Sequence, residues 1–573
     1  MNNKKWENRE FSELDIEKII ESYNLPRSIA KTMAVRGLID NEVIKSFFYL
    51  EINSIHDPFL MHDMHQAVNR IVNQINENKP ILIYGDYDVD GTTATSILYL
   101  FFKSINVDVD HYIPSRENEG YGLSNKGIDY ANYIGSNLVI TCDCGITAVN
   151  EVKYASSLNI DVIITDHHKQ ADILPSAEAI LNPNKHICSY PFKGLCGAGV
   201  VFKLIMAIAK EIKYDKDIWE FCDLAAIGTA ADMVPLLDEN RLIVSKGLEK
   251  INNRPRVGVN ALINTSGLNK NKITVGRLSF WFAPKINAAG RLGDAGRAVK
   301  LLISSNINYA LKVANELENE NLKRRDITEH MIIEAEDKIK NDINQQKSHS
   351  IILFDEHWHE GVIGIVASKI KEKYNKPTII ISINDSGIGK ASCRSISTFD
   401  LVDAISNCSE LLIGYGGHPM AAGFSILKKN IDQFIEQFSD YTKVHIKKEN
   451  LIPKIFIDSK MNLSDITIRF LKFLDSLEPF GPKNPRPIFR SNNLQVVGNP
   501  KVIGKNRDTI KFLVKEDRAT FEAIGFGLIE KFEYLVQNKP IDIVYMIGEN
   551  EWRGEKTIQL EIKDIRLAVL NNV

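Results

Sequence analysis

The sequence predicts an α/β protein built on a parallel sheet, followed by a long helix, a second α/β unit and a C-terminal β region. Three observations carry this reading. Between about residues 60 and 235, short apolar runs alternate with helical stretches, the pattern of a parallel sheet covered on both faces. Residues 306–347 contain neither Gly nor Pro, so nothing in them breaks a helix. From Pro453 onward, short alternating segments are separated by turn residues, which reads as β.

The elements follow in order. Residues 1–60 interleave polar positions with Ile16, Ile19, Ile20, Ala30, Met33, Ala34, Val43, Ile44, Phe47 and Phe48 and are expected to form an N-terminal segment of short helices. The next unit, 61–305, has strands at 81–84, 107–113, 138–140 and 162–164. Helices are expected over 91–102, from a Ser124 cap through 133, and over 146–158, 197–212 and 218–227. The stretch 306–347 carries a narrow apolar stripe (Leu311, Ala314, Leu317, Met331, Ala335, Ile339, Ile343) among many charges, which suits a helical strut between domains. The second α/β unit, 348–445, has strands at 351–353 and 378–381 around a helix over 363–373. The β region occupies 446–573.

Composition sets limits on function. The chain has 573 residues, 44% apolar and 25% charged, with a net charge of −3. It is not a polybasic nucleic-acid coat, so an anionic ligand must meet a local positive patch or a metal. The opening residues have no apolar run after their lysines, and no stretch approaches the length of a membrane span. Seven cysteines, an odd number, do not make a disulfide framework, and a reducing cytoplasm is the expected location.

The acids are the most informative residues. Asp86, Asp88 and Asp90 follow the first strand in YGDYDVDG, Asp143 follows a later one in VITCDCG, and Asp166, His167 and His168 follow the next in VIITDHH. The carboxyl ends of parallel strands share one edge, where ligands bind. Clustered carboxylates repel one another unless a cation compensates. Carboxylates with one or two imidazoles suit Mn²⁺ or Mg²⁺ and not a thiol-rich zinc site. Asp232, in GTAADMVPL, is a further candidate. Cys142 and Cys144 have no second pair at zinc-ribbon spacing and are read as small packing residues.

YGDYDVDG, TCDCG, DHH and TAADMVPL, in this order, resemble the four motifs of the DHH phosphoesterase superfamily. The further motifs FAPKINAAGRLGDA (282–295), HEGVIGIVASK (359–369), ASCRS (391–395) and GGHPMAAGF (416–424) resemble its single-strand-specific 5′→3′ DNA exonucleases. The resemblance implies a DHH catalytic domain over 61–305, a connecting helix over 306–347, a DHH-associated substrate-binding domain over 348–445 and an OB-fold nucleic-acid-binding domain over 446–573. It implies two Mn²⁺ or Mg²⁺ ions held by Asp88, Asp90, Asp143, His167 and Asp232, with Asp143 bridging and Asp86 a further ligand or a supporting group. His168 would face the scissile phosphate. Arg291, Ser392 and Arg394 would form a pocket for the 5′-phosphate, with His418, Gly416 and Gly417 near the strand. The implied reaction releases 5′-mononucleotides in DNA repair and recombination. The implied partners are single-stranded DNA, single-strand-binding protein and a helicase, with no membrane and a monomeric chain. Two positions depart from the family pattern: Ala391 replaces a Gly, and Tyr84 stands where smaller members carry a His.

Residues 481–520 are rich in Lys and Arg (Lys483, Arg486, Arg490, Lys501, Lys505, Arg507, Lys511) near Phe489 and Phe512. Basic residues interleaved with aromatics suit single-strand tracking with base stacking.

Overall fold

The computed structural model describes residues 4–116, 118–268, 272–292, 294–552 and 555–568; Gly293 of the 282–295 motif lies outside them. The first sheet has the spatial order Val109–Tyr112, Ile81–Gly85, Leu138–Cys142, Asp161–Thr165, Ala179–Leu181, and all its pairs are parallel. Ile81–Gly85 and Leu138–Cys142 are buried along their whole length, because helices cover both faces. Their sequences therefore run apolar instead of alternating. The fifth strand, only three residues long, is too short to show a period and is absent from the sequence reading.

Strand order reverses between Ile81–Gly85 and Leu138–Cys142: the second strand in sequence lies on one side of the first, and the third lies on the other. A crevice opens at the carboxyl ends at such a point. The helix Val89–Ser104 starts there, with Asp88 as its N-cap accepting from the Gly91 amide. Its Ile97, Leu98, Phe101 and Phe102 are fully buried against Val200, Phe202 and Leu204 of the helix Gly197–Glu211. Each such side chain contributes about 1.5–3 kcal/mol.

The long helix, Ile307–Asn341, has 35 residues and spans about 52 Å. Its first half supplies Ala310, Val313, Ala314 and Leu317 to the first core. Its second half supplies Met331, Ala335 and Ile339 to the core around Trp358 and Ile363. The expected helix over 306–347 is interrupted once, at Asp342, whose carboxylate caps a new short helix, Ile343–Lys347. The second sheet runs Leu412–His418, Ala421–Leu427, Ile388–Arg394, Thr378–Ile383, Ile351–Asp355. Only its last pair is parallel.

The C-terminal region is an OB-type barrel of Phe489–Ile503, Thr509–Glu516, Ala519–Gly525, Ile541–Trp552 and Glu555–Leu567, closed where Phe489 and Arg490 pair with Tyr545 and Val544. The N-terminal segment corrects the sequence reading. Its helices Glu13–Tyr23, Arg27–Ala34 and Asn41–Phe48 form, but it also holds a strand, Lys5–Asn8, parallel to Lys454–Ile457. Its Ile16, Ile19, Ile29, Met33 and Phe47 share one core with Phe470, Leu474, Phe489 and Tyr545. The short amphipathic helices have too little apolar surface to bury alone, and their partner lies more than 400 residues away in sequence. Among the described residues no helix is long and apolar enough to cross a membrane.

Arg241 joins this terminal unit to the first α/β unit. It lies on the helix Asp238–Asn253 and is 2% exposed. Its guanidinium donates to the carbonyls of Phe47 (3.1 Å), Leu477 (3.0 Å), Ser476 (3.3 Å) and Glu478 (2.7 Å) and stands 3.8 Å from the Phe47 ring centroid. These carbonyls end the helices Asn41–Phe48 and Ile468–Ser476, where acceptors lack intrahelical donors and the dipole favours a cation. Burial pushes the Arg241 pKa down to about 10, so it stays charged at neutral pH. Arg241→Ala leaves these carbonyls without their donor. We expect a loss of about 3 kcal/mol, seen as a lower urea midpoint for the first unfolding transition; an unmoved midpoint contradicts this account.

Candidate functional site

Three acids are fixed at the sheet rim by the ladder itself. The Asp86 amide donates to the Cys142 carbonyl (3.1 Å), Asp143 to Thr165 (2.9 Å) and Asp166 to Leu181 (3.0 Å). Each bond adds one rung to the neighbouring strand. Asp143 has φ 64, a left-handed conformation that Asp tolerates better than most residues and that recurs at functional sites. Gly197 makes room for it: a Cβ there would lie 2.5 Å from the Asp143 Cβ. The Asp90 carboxylate sits at the N-terminus of the helix Gly197–Glu211 and accepts from the amides of Gly197 (2.6 Å) and Ala198 (2.9 Å).

The residues predicted as metal ligands converge. His167 Nε2 lies 3.1 Å from Asp143 Oδ1, 3.6 Å from Asp232 Oδ2 and 3.8 Å from Asp90 Oδ2. Asp86, Asp88 and Asp143 form a second group with oxygens within 4.8 Å of one another. Asp86 Oδ1, Asp143 Oδ1, His167 Nε2 and Asp232 Oδ2 are buried and have no hydrogen-bond partner among the described residues. Buried polar atoms are normally paired, and here several acceptors face one another. A divalent cation would supply the missing positive charge, so the donor set fits Mn²⁺ or Mg²⁺.

Charge tells the same story. Burial, then the charge of Asp88, pushes Asp86 up to about 8. Burial, then Asp90 and Asp88, pushes Asp232 up to about 8, and the same forces raise Asp143 well above the carboxylate range. Burial lowers His167, keeping it neutral, the form that ligates metals. At His168 burial also disfavours the charge, but the Asp166 hydrogen bond and charge outweigh it and the imidazole rises to about 9. Asp166 Oδ1 lies 2.7 Å from His168 Nδ1 and also accepts from the His167 and His168 amides.

Several residues here escape the sequence reading of the site. Asp166, placed at the rim by sequence but given no separate role there, orients His168 instead of joining the ligand atoms. Tyr121 places its hydroxyl 3.2 Å from His168 Nδ1. Asn182 and Asn184 hold the carbonyls of His168 and His167. No spacing marks these residues; only the NPN turn (182–184) hints at a fixed loop. Tyr84 is buried and donates to the Gly122 carbonyl, so it contributes nothing to the cluster. Cys142 and Cys144 are buried packing residues, and all seven cysteines are free.

Arg291, Ser392 and Arg394 line one cleft of about 730 Å³, together with Arg116. Arg291 donates to the Gly361 carbonyl (2.8 Å). Arg394 bonds Ser392 Oγ and Ser368 Oγ (both 3.2 Å). Burial, then Arg116 and Arg324, lowers Arg291 to about 10. Cations crowded this way suit a phosphate. Ala391, the departure from the family motif, also lines the cleft. Gly416, Gly417 and His418 lie on the exposed edge strand Leu412–His418, and Gly414 and Tyr415 line the cleft in their place.

The basic region of the barrel is corrected in part. Phe489 and Phe512 are buried in its core and offer no stacking face. Strand alternation puts Lys511 and Phe512 on opposite faces. Lys511 pairs with Glu522 and Arg490 with Asp542, whereas Lys501, near the end of the first barrel strand, and Lys505 and Arg507, in the turn after it, are exposed.

Three family models match, each over its own part of the chain: the DHH family N-terminal domain at 80–229, the DHHA1 domain at 347–444 and the RecJ OB domain at 457–564. A relative from Bacillus subtilis, named single-stranded-DNA-specific exonuclease RecJ, is 36% identical over 98% of this chain and 71% of its own length. The chain belongs to the RecJ family. A RecJ of the same description from Escherichia coli is 32% identical over 87% of this chain and 89% of its own. The solved RecJ of Thermus thermophilus in complex with Mn²⁺ matches with a TM-score of 0.82 and 25% identity, over 99% of this chain and 80% of that one. A RecJ structure bound to manganese is 32% identical over 67% of this chain and 95% of that one, with a TM-score of 0.58.

In metal-free protein the raised carboxylates stabilise the fold while protonated. That contribution is lost as pH rises through their folded values, about 8 for Asp86 and Asp232. With a chelator present, the thermal midpoint should fall between about pH 6 and about pH 9. Mn²⁺ or Mg²⁺ should restore it, most at the upper end. A midpoint indifferent to the ions argues against the cluster as their site.

Proposed function

We propose that this chain is a metal-dependent exonuclease specific for single-stranded DNA, working 5′→3′ and releasing 5′-mononucleotides in DNA repair and recombination. The observation that carries this reading is the set of buried, unpartnered ligand atoms on Asp86, Asp143, His167 and Asp232, beside a cleft lined by Arg291 and Arg394. The names of the RecJ relatives support the substrate class.

Asp88, Asp90, Asp143, His167 and Asp232 would hold two Mn²⁺ or Mg²⁺ ions, with Asp143 between them and Asp86 a further ligand. Bound there, the ions activate water and offset charge on the phosphoryl oxygens. The chain does the rest. Asp166 holds His168 protonated and oriented, so the imidazolium meets charge growing on a non-bridging oxygen. Arg291, Ser392 and Arg394 grip the terminal 5′-phosphate, which places the next phosphodiester at the acids. Rupture of its P–O3′ bond frees a 5′-mononucleotide and leaves a new 5′-phosphate for the next cycle. Gly416, Gly417 and His418 then lie along the exposed edge where the strand approaches. The barrel, through Lys501, Lys505 and Arg507, holds the strand further on. The same reading takes the enzyme as a cytoplasmic monomer that works with single-strand-binding protein and a helicase.

Asp143→Ala should cut hydrolysis of an end-labelled single-stranded oligonucleotide by about a thousandfold or more while circular dichroism is unchanged. Near-wild-type activity removes Asp143 from the site. Arg394→Ala should raise KM about tenfold for a 5′-phosphorylated strand and erase its advantage over a 5′-hydroxyl strand. A preserved advantage places the 5′-phosphate elsewhere.

A further inference from the structure

A second cavity, of about 440 Å³, opens where the helix Ala283–Leu292, the long helix and the helix Ile363–Tyr374 meet. It adjoins the anion cleft through Ile365 and Lys369 but contains none of the acids of the cluster. Nothing in the nuclease reading uses it.

Its lining is built for a ligand that is at once planar, hydrogen-bonding and anionic. Asn321 is 6% exposed, and its amide oxygen has no partner among the described residues. Native structures seldom leave such an atom unpaired. Arg324 Nε is likewise buried and unpartnered, and the exposed Arg325 lies beside it on the same wall. Lys285 is different: it is satisfied by Ser266 Oγ and Glu318. At the cavity stand Phe280 and Trp281, 72% and 49% exposed. They lie on a π-helical turn, Leu278–Phe282, whose flanking Leu278 and Phe282 are buried. Turns of this kind are rare and recur at functional sites. Two adjacent aromatics turned outward beside cations form a stacking platform with an anion site.

We propose that this cavity is a nucleotide-binding site distinct from the catalytic cluster. The base stacks on Trp281 and Phe280. The Asn321 amide, both donor and acceptor, pairs with the base edge, and Arg324 and Arg325 meet the phosphate. The nucleotide is either a free mononucleotide or the end of a strand, which present the same chemistry. Occupancy needs neither metal nor turnover, so the site can fail without the nuclease reading failing, and the reverse.

The test is calorimetric titration of the full chain in chelator with dAMP, inorganic phosphate and a 5′-phosphorylated single-stranded oligonucleotide. We expect a saturable dAMP component that Trp281→Ala and Asn321→Leu each weaken about tenfold or more and that persists in Arg291→Ala, which removes only dAMP held at the 5′-phosphate cleft. Trp281 is half-exposed, so its variant tests the site even if Asn321→Leu folds poorly. Trp281-dependent binding of the oligonucleotide alone supports the site with a strand as its source. No saturable binding of either nucleotide ligand overturns the proposal. So does phosphate competing as well as dAMP, or binding lost in Arg291→Ala but kept in Trp281→Ala.

Discussion

Carboxylates held out of water a few ångströms apart repel one another, and the catalytic half of this protein is organised around that cost. The acids cannot relax away from each other, because Asp86, Asp143 and Asp166 are each tied by their own amide to the next strand. They are only partly neutralised from within: helix Gly197–Glu211 offers its amides to Asp90, and His168 offers its charge to Asp166. Burial, and then the remaining repulsion, raises the proton affinity of Asp86, Asp143 and Asp232. Oxygen ligands with one imidazole suit a hard divalent cation better than a thiolate-type site would.

The anion cleft depends on a different constraint. Arg291 comes from the first unit, while Ser392 and Arg394 come from a strand of the second. The cleft exists because one continuous helix is embedded in both cores, through Leu317 at one end and Ala335 at the other. The distance between the cluster and the anion cleft is thus set by packed helix, not by a linker.

Much of this is legible in sequence for a physical reason. An acid directly after a fully apolar run can only sit at a strand end, so Asp86, Asp143 and the residues after Thr165 are placed by the runs before them. Asp232 is harder, since it follows a helix, and only the family motif marks it. Other features leave no local trace. Tyr121 reaches His168 from a loop whose sequence shows only turn residues. Phe489 and Phe512 have basic neighbours in sequence, yet strand pleating sends them into the barrel core. The partner of Ile16 and Ile19 is invisible because burial against Phe470 and Tyr545 depends on which distant segments meet.

That last contact bears on how the molecule is made. The strand that pairs with Lys5–Asn8 and the barrel that buries Ile16 are translated more than 400 residues after them. The catalytic sheet, whose strands all fall between residues 81 and 181, can assemble during synthesis. The leading segment must wait, its apolar face uncovered, until the barrel has been made. Folding of the leading segment therefore depends on residues made more than 400 positions later.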